Sequence, residues 1–397
     1  MPAYARADPS WLWASPSTRR ALASRDLGQV FAAYRSIHHL TQQQLGDLLG
    51  FDQSYVCRIE NGRRTVRDVP TLTRIATRLG LPPRLLGLVT RHDADFEAMC
   101  QFAESTMRLA DVARRAGRPM EAVGELWPLV ARLETRAAEA PADLDVLMLL
   151  ADGCLALGTA LGDVLPEEKL RFSVRWTRRA LDLSTRLQDP ALRLRALNMH
   201  GNELRKSGDY SGASDAFAMA LSDHTYHTRR GDTFLLLARA RGDMGDVEGF
   251  DQAIHSAQSL LETNTEISSL LNPFSVREAH IRGLLHTHRH HEAVALVSKS
   301  RVGGHRPKVA PQWQVMEQVT VGGVLLACGD SAGAKAVLTS AIADAEMYSL
   351  PHQVQRALRV VDSMAADEAD ALRTSGIAAL RRLRDMAPVP AALVGSS

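Results

Sequence analysis

From residue 92 to about residue 390 the chain repeats itself at intervals of about forty residues, and that period constrains its fold more than any other feature. Turns recur at Ala116-Gly117-Arg118-Pro119, Leu165-Pro166-Glu167, Ser207-Gly208-Asp209-Tyr210, Met244-Gly245-Asp246, His288-Arg289-His290 and Cys328-Gly329-Asp330. After five of these turns comes a helical pattern with mostly small residues seven apart: Ala122 and Leu129, Ser173 and Ala180, Ala213 and Ala220, Ala293 and Ser300, Ala334 and Ala341. Small side chains recur where paired helices must approach closely. The pattern predicts stacked helical hairpins, an α-solenoid in which each unit buries its apolar face against its neighbours. Residues Ala196 to Leu221 show it most fully, with Gly201 in the first helix, Gly208-Asp209-Tyr210 in the turn, and Ala213, Phe217 and Ala220 on the second helix.

Composition agrees. An apolar content of 45% can fill buried cores, while only 5% aromatic residues suits Ala/Leu-rich helices better than a sandwich or barrel. The expected fold is all-α. The net charge of +2 hides an asymmetry: residues 19–91 carry twelve Arg against five Asp and Glu, so the remainder is acidic. A basic module beside an acidic one points to a polyanionic partner for the N-terminal part. Cys57, Cys100, Cys154 and Cys328 have neither metal-ligand nor disulfide-framework spacing. No leader pattern stands at the N-terminus and no apolar run reads as membrane-spanning, so a cytoplasmic protein without a membrane partner is expected.

Three regions follow: a loose arm over 1–18, anchored by Trp11-Leu12-Trp13, a compact helical module over 19–90, and the repeats over 92–390. In the module, Ser24 or Asp26 caps a helix carrying Leu27, Val30, Phe31 and Tyr34. Thr41, with Gln44 three residues on, is a capping box for a helix that places Leu45, Leu48 and Leu49 on one face and ends at Gly50. A third helix starts at Asp52, buries Val56 and Ile59, and ends at Asn61-Gly62; a fourth runs from Pro70 to Leu79. Two helices joined by so short a turn can project the second into a major groove about 12 Å wide. Gln53 and Ser54, beside Tyr55, stand at the start of that second helix, with Arg58 one turn later on the same face. Gln can pair bidentately with adenine and Arg with guanine; Arg63, Arg64 and Arg67 beyond are placed for phosphates.

The stretch from Leu40 to Gly62 resembles the phage-repressor (Cro-like) helix-turn-helix family, over about residues 27–88. The resemblance implies that Gln42 meets the DNA backbone, that Gln53, Ser54 and Arg58 face bases, and that the Asn61 region clamps a phosphate. It also implies a scaffold pair, Arg35 with Glu60. Cys57 inside the recognition helix departs from the family pattern. Helix-turn-helix followed by tetratricopeptide-like repeats is similar in layout to the peptide-pheromone receptors of Gram-positive bacteria. Tyr55-Val56-Cys57-Arg58-Ile59-Glu60-Asn61-Gly62-Arg63-Arg64 and Met199-His200-Gly201-Asn202-Glu203-Leu204-Arg205-Lys206 look closest to a set of actinobacterial regulators.

Those likenesses imply a transcription regulator that binds double-stranded DNA as a homodimer and senses a peptide or small-molecule effector, with no cofactor. On the helix 190–207, Asn198, Asn202 and Arg205 form one stripe opposite Leu197 and Leu204. Arg239 and Arg282 take the matching place in the next two units. Such a stripe suits an acidic ligand or a terminal carboxylate, or else is a solvated helix face. His280, His286, His288, His290 and His291 crowd one turn without a carboxylate or cysteine set to complete a metal site. Trp127, Trp176 and Trp313 fall in helical patterns as core or inter-repeat contacts. No nucleophile with a base, phosphate loop or carboxylate pair emerges, so an enzyme is not expected. A second reading stays open, an interaction adaptor built on helical repeats.

Overall fold

The computed structural model describes residues 20–21, 24, 26–81, 86, 88, 91–139, 144–222, 230–263, 268, 270–300 and 309–386. Within them lie 18 α-helices and no strand. The expected arm over 1–18 and the Pro82-Pro83 stop fall outside the described residues. The chain divides into two compact units. The first comprises Met1–Met107, Pro128–Gly153 and Asp182–Asp189; the second comprises Arg108–Trp127, Cys154–Leu181 and Pro190–Ser397.

The first unit opens with α1 (Leu27–His38), α2 (Gln42–Leu49), α3 (Gln53–Glu60) and α4 (Val69–Leu79). Each starts at a side chain that accepts a backbone N–H which the helix itself cannot satisfy: Asp26 from Gly28, Thr41 from Gln44, Asp52 from Tyr55 and Asp68 from Thr71. At Thr41 the expected capping box is complete, because Gln44 reaches back to the Thr41 N–H. Helices α2 and α4 end at Gly50 and Gly80 in the left-handed region, φ 74° and 65°. Their apolar faces meet in one core of Val30, Phe31, Tyr34, Leu45, Leu49, Val56, Ile59, Ile75, Leu79 and Leu81. A Cβ on Gly28 would stand 2.6 Å from the Ile59 carbonyl oxygen, so the start of α1 sits tightly on the end of α3. Leu144 also packs on this core, which carries the compact unit past residue 90.

Helices α5 (Arg91–Arg115), α6 (Pro119–Glu139), α7 (Leu144–Val164) and α8 (Arg171–Leu187) follow, with a 3-10 turn at Glu167–Lys169 after α7. Five hairpins then complete the second unit: α9 (Pro190–Lys206) with α10 (Tyr210–Ser222), α11 (Arg230–Asp243) with α12 (Val247–Glu262), α13 (Pro273–His286) with α14 (His290–Ser300), α15 (Pro311–Ala327) with α16 (Ser331–Met347), and α17 (Pro351–Val361) with α18 (Ala366–Met386). The first helices α9, α11, α13, α15 and α17 are successive neighbours, each also packed on its own second helix. This is the expected solenoid.

The repeated Gly-Asp turn has a physical reason. Gly208, Gly245 and Gly329 adopt φ 89°, 74° and 81°, which an L side chain resists, and Asp209, Asp246 and Asp330 then cap the next helix by accepting the N–H of Gly212, Gly249 and Gly333. His288 makes the same left-handed turn without being glycine, φ 59°. The small positions seven apart are buried in α10 (Ala213, Ala220) and α16 (Ala334, Ala341). A further spacing appears only in three dimensions. Gly201, Gly242 and Gly283 recur 41 residues apart on the first helices. A Cβ on Gly201 would lie 2.6 Å from Phe217 of α10, and one on Gly242 only 3.0 Å from the Cα of Gly283, so α11 and α13 meet backbone to backbone. Trp127 and Trp176 form an edge-to-face pair 5.8 Å apart, as the inter-repeat reading of these residues expected.

One expectation is corrected. Helix α7 is 21 residues long and apolar enough to cross a membrane, although the sequence reading found no such run. Asp145, Asp152 and Asp163 break the run to the eye. In the structure 61% of its most apolar window is buried inside the protein.

Candidate nucleic-acid interface and a buried charge network

Helix α3 has two sides. Val56 and Ile59 lock one side into the core of the first unit, while Gln53, Ser54 and Arg58 are exposed on the other. Asp52 accepts the Ser54 hydroxyl at 2.6 Å and the Tyr55 N–H at 2.6 Å. Those two bonds hold its carboxyl below the usual carboxylate range and tie down the first turn. The Arg58 Nε donates to the Ser54 carbonyl at 3.2 Å, which lays the guanidinium along the exposed face. Beyond α3, Gly62 turns at φ 68°, and the N–H groups of Arg63 and Arg64 both donate to the Arg58 carbonyl, at 2.8 and 3.1 Å.

Arg64 does not swing free. Its guanidinium lies 4.3 Å from the Tyr55 ring centroid, Tyr55 stacks on Phe51 at 4.5 Å, and Arg74 covers Phe51 at 5.0 Å. Tyr55 is therefore a platform that positions a cation, an arrangement worth about 0.5–1 kcal/mol per cation at exposed sites. Arg63 and Arg67 are exposed. Sequence reading missed Arg74, because its partner Phe51 is distant along the chain.

Arg35 and Glu60 form the expected bidentate pair, with Nε and Nη2 donating to the two carboxylate oxygens at 2.6 and 2.9 Å. Glu60 is only 9% exposed and Arg35 25%. The bond to Glu60 raises Arg35 above its ordinary value. The Gln42 amide donates to Glu60 Oε2 at 2.8 Å, which anchors its side chain at the start of α2 and leaves its second N–H uncommitted by that bond. A carboxylate held by one arginine still has lone pairs to satisfy, and Gln42 is the nearest donor. Asn61 caps α3, its amide bonding the Cys57 carbonyl at 2.9 Å and the Cys57 Sγ at 3.3 Å.

In the second unit the expected ligand stripe is rearranged. Asn198 is buried and accepts from the Thr233 hydroxyl at 3.0 Å, joining α9 to α11. Asn202 bonds Glu203 and Arg205. Arg239 and Arg282 are not solvated: their side chains are 3% and 4% exposed. Both belong to a network running across the first helices. Arg205 pairs with Asp243 at 2.7 Å, Arg239 with Glu278 at 3.2 Å, and the Thr320 hydroxyl donates to Glu278 at 3.1 Å. Arg282 stands 3.7 Å from Asp243 and 3.8 Å from Glu278. Arg356 of α17 donates to Gln353 at 2.8 Å and reaches Thr320 at 3.5 Å. Arg239 also covers Trp313, 5.0 Å from the ring centroid. Despite burial, Arg282 and Arg205 hold the Asp243 carboxyl far below the usual carboxylate range, and Arg282 and Arg239 hold down Glu278.

The repeat period itself could have revealed these partners. Arg205 and Asp243, Arg239 and Glu278, and Arg277 and Glu317 pair across 38, 39 and 40 residues, one repeat apart. The histidine cluster divides: His286 turns to Asp243 at 3.0 Å and His280 to Gln258 at 3.1 Å, while the His288 and His290 rings stay 6.1 Å apart. Among the described residues no group of three His, Cys, Asp or Glu could hold a metal ion.

The capped helices, the locked α3 and its exposed polar face define a helix-turn-helix domain, and residues 26–88 match the helix-turn-helix domain family. No curated protein matches the chain. Among solved structures, Bacillus thuringiensis PlcR, crystallised with the peptide PapR7 and DNA, is 16% identical, with 84% of this chain and 99% of that chain covered and a TM-score of 0.32. A tetratricopeptide repeat protein from Parabacteroides merdae ATCC 43184 is 14% identical, with 70% of this chain and 99% of its own covered and a TM-score of 0.33. Likeness at that level carries no functional argument, which rests on the residues themselves.

Proposed function

We propose that the chain is a sequence-specific DNA-binding transcription regulator, not an enzyme, whose helical repeats pair two copies and respond to a peptide or small-molecule effector. The observation that carries this reading is the division of α3. Its apolar side is fixed by the core and by the Arg35–Glu60 clamp, and its exposed side presents Gln53, Ser54 and Arg58. A helix held so rigidly can offer amide and guanidinium donors to base edges without paying much ordering entropy on binding. Arg63, Arg64 and Arg67 supply the phosphate contacts that set register. One such module contacts few base pairs, so two copies are required for tight binding, their recognition helices about 34–36 Å apart on one face of the duplex.

Enrichment of binding sites from random duplexes tests this reading. The expected result is a partly palindromic sequence bound with a steep salt dependence, because each neutralised phosphate releases counterions. Recovery of no preferred sequence would contradict it.

A further inference from the structure

The charge network of the second unit is not balanced. Around Arg114, Arg115 and Lys206 three cations meet three carboxylates, since Asp111 pairs with both arginines, Asp163 with Arg114 and Lys206, and Glu203 with Lys206. Across α9, α11, α13 and α17 they do not. Arg205, Arg239, Arg282 and Arg356 face two carboxylates, Asp243 and Glu278. Three buried donors in this group have no protein acceptor: Nε of Arg205, Nε of Arg239 and Nη2 of Arg282. The two ion pairs of Arg282 are too long for hydrogen bonds. A buried guanidinium loses its water and must regain that energy from acceptors. Here the protein leaves two positive charges and several N–H groups without them.

We propose that this face of the first helices binds an oxyanion of about two negative charges, clamped by Arg239, Arg282 and Arg356 with Arg205 at its edge. The planar fork of arginine matches carboxylate and phosphoryl oxygens bidentately, and four forks from four different helices converge where acceptors are missing. Thr320 and Gln353 orient Arg356 without neutralising it. The same imbalance acts on protonation: burial, with Arg282 and Arg205 nearby, pushes Arg239 down to about 9, and burial beside Arg282 pushes Arg356 down to about 10. An anion seated among them reverses both effects. Because the clamp spans several repeats, its occupancy sets how those repeats pack, which is the coupling an effector needs. The proposal deepens the effector part of the reading above, and its test needs no DNA, so the two can fail separately.

The test uses the full chain. Inorganic phosphate and succinate, a phosphoryl-type and a dicarboxylate probe, are titrated by calorimetry and thermal unfolding at constant ionic strength set with chloride. At least one is expected to bind and raise the melting temperature where chloride does not, and the one that does names the source chemistry. Arg356→Gln and Arg282→Gln are expected to weaken that binding about tenfold or more, each losing a charge-assisted contact. Without ligand, Arg356→Gln is expected to be at least as stable as the parent, because burial and the neighbouring Arg282 disfavour the Arg356 charge. No response to either probe, a variant that binds like the parent, or a ligand-free Arg356→Gln that is destabilised or fails to fold would overturn the proposal.

Discussion

Replacing Gly283 by alanine adds one methyl group at the point where α13 crosses its neighbours, and the structure sets both sides of the balance. Alanine gains about 1 kcal/mol over glycine in a helix interior, mostly by restricting the unfolded chain. The new Cβ, however, would stand 2.7 Å from Cδ2 of Phe250 and closer still to Cε2 and Cζ. Carbon atoms in contact prefer about 3.5–4.0 Å. The Phe250 ring must retreat by about 1.5 Å to restore that spacing, and it is fully buried among Leu235, Ala238 and Val276. Overpacking of this severity costs about 3 kcal/mol. The net expectation is a loss of about 2 kcal/mol, or a fall in melting temperature of roughly 4–8 °C for a cooperative unit of roughly 200 residues. Gly124 in α6 is the control: nothing lies within 4 Å of its added Cβ, so Gly124→Ala should stabilise by about 0.5–1 kcal/mol. Thermal and urea unfolding followed by circular dichroism read both variants. Equal shifts of the same sign would refute the reasoning, because close approach and not helix propensity is claimed to decide Gly283.

Arg35→Met should destabilise the helix-turn-helix domain by about 2–3 kcal/mol, since it strands the mostly buried Glu60 carboxylate with only the Gln42 amide; adding Glu60→Leu should recover most of that loss, as urea unfolding can show. Stability should fall as pH drops from about 6.5 towards 3, because burial holds His352 neutral down to about 3 in the folded chain while the unfolded chain takes up its proton. Burial depresses His38 and His280 in the same direction, whereas the raised Glu203 works the opposite way. His352→Gln should flatten the slope in that window, and an unchanged slope would remove His352 as its cause. Sedimentation at micromolar concentration should show a dimer; a monomer that still binds one half-site tightly would sink the two-copy arrangement.

The parts of this fold governed by local rules were legible in the chain. Thr41 with Gln44, Gly50, Asp52 and the Gly-Asp turns are decided by neighbours within about four residues, and each lies where the pattern put it. The exposed face of α3 was legible too, because a helix that buries Val56 and Ile59 must turn Gln53, Ser54 and Arg58 outward. What escaped was charge in the interior. Periodicity reads a polar residue as solvated, so Asn198, Arg239 and Arg282 looked like an open stripe, whereas their partners sit one repeat away and close over them. Arg356 escaped because α17 is short and its turn carries no glycine. The bond from Gln42 to Glu60 escaped because the two become neighbours only when α2 and α3 fold together.

The central claim, that α3 reads bases, is tested most directly by comparing affinity for an enriched duplex and for random duplex across a salt series. Gln53→Ala and Arg58→Ala should each lose about 1–3 kcal/mol on the enriched site and almost nothing on random DNA. Arg63→Ala should weaken both alike and lower the salt slope by about one. Equal losses on both duplexes for Gln53→Ala and Arg58→Ala would contradict the account.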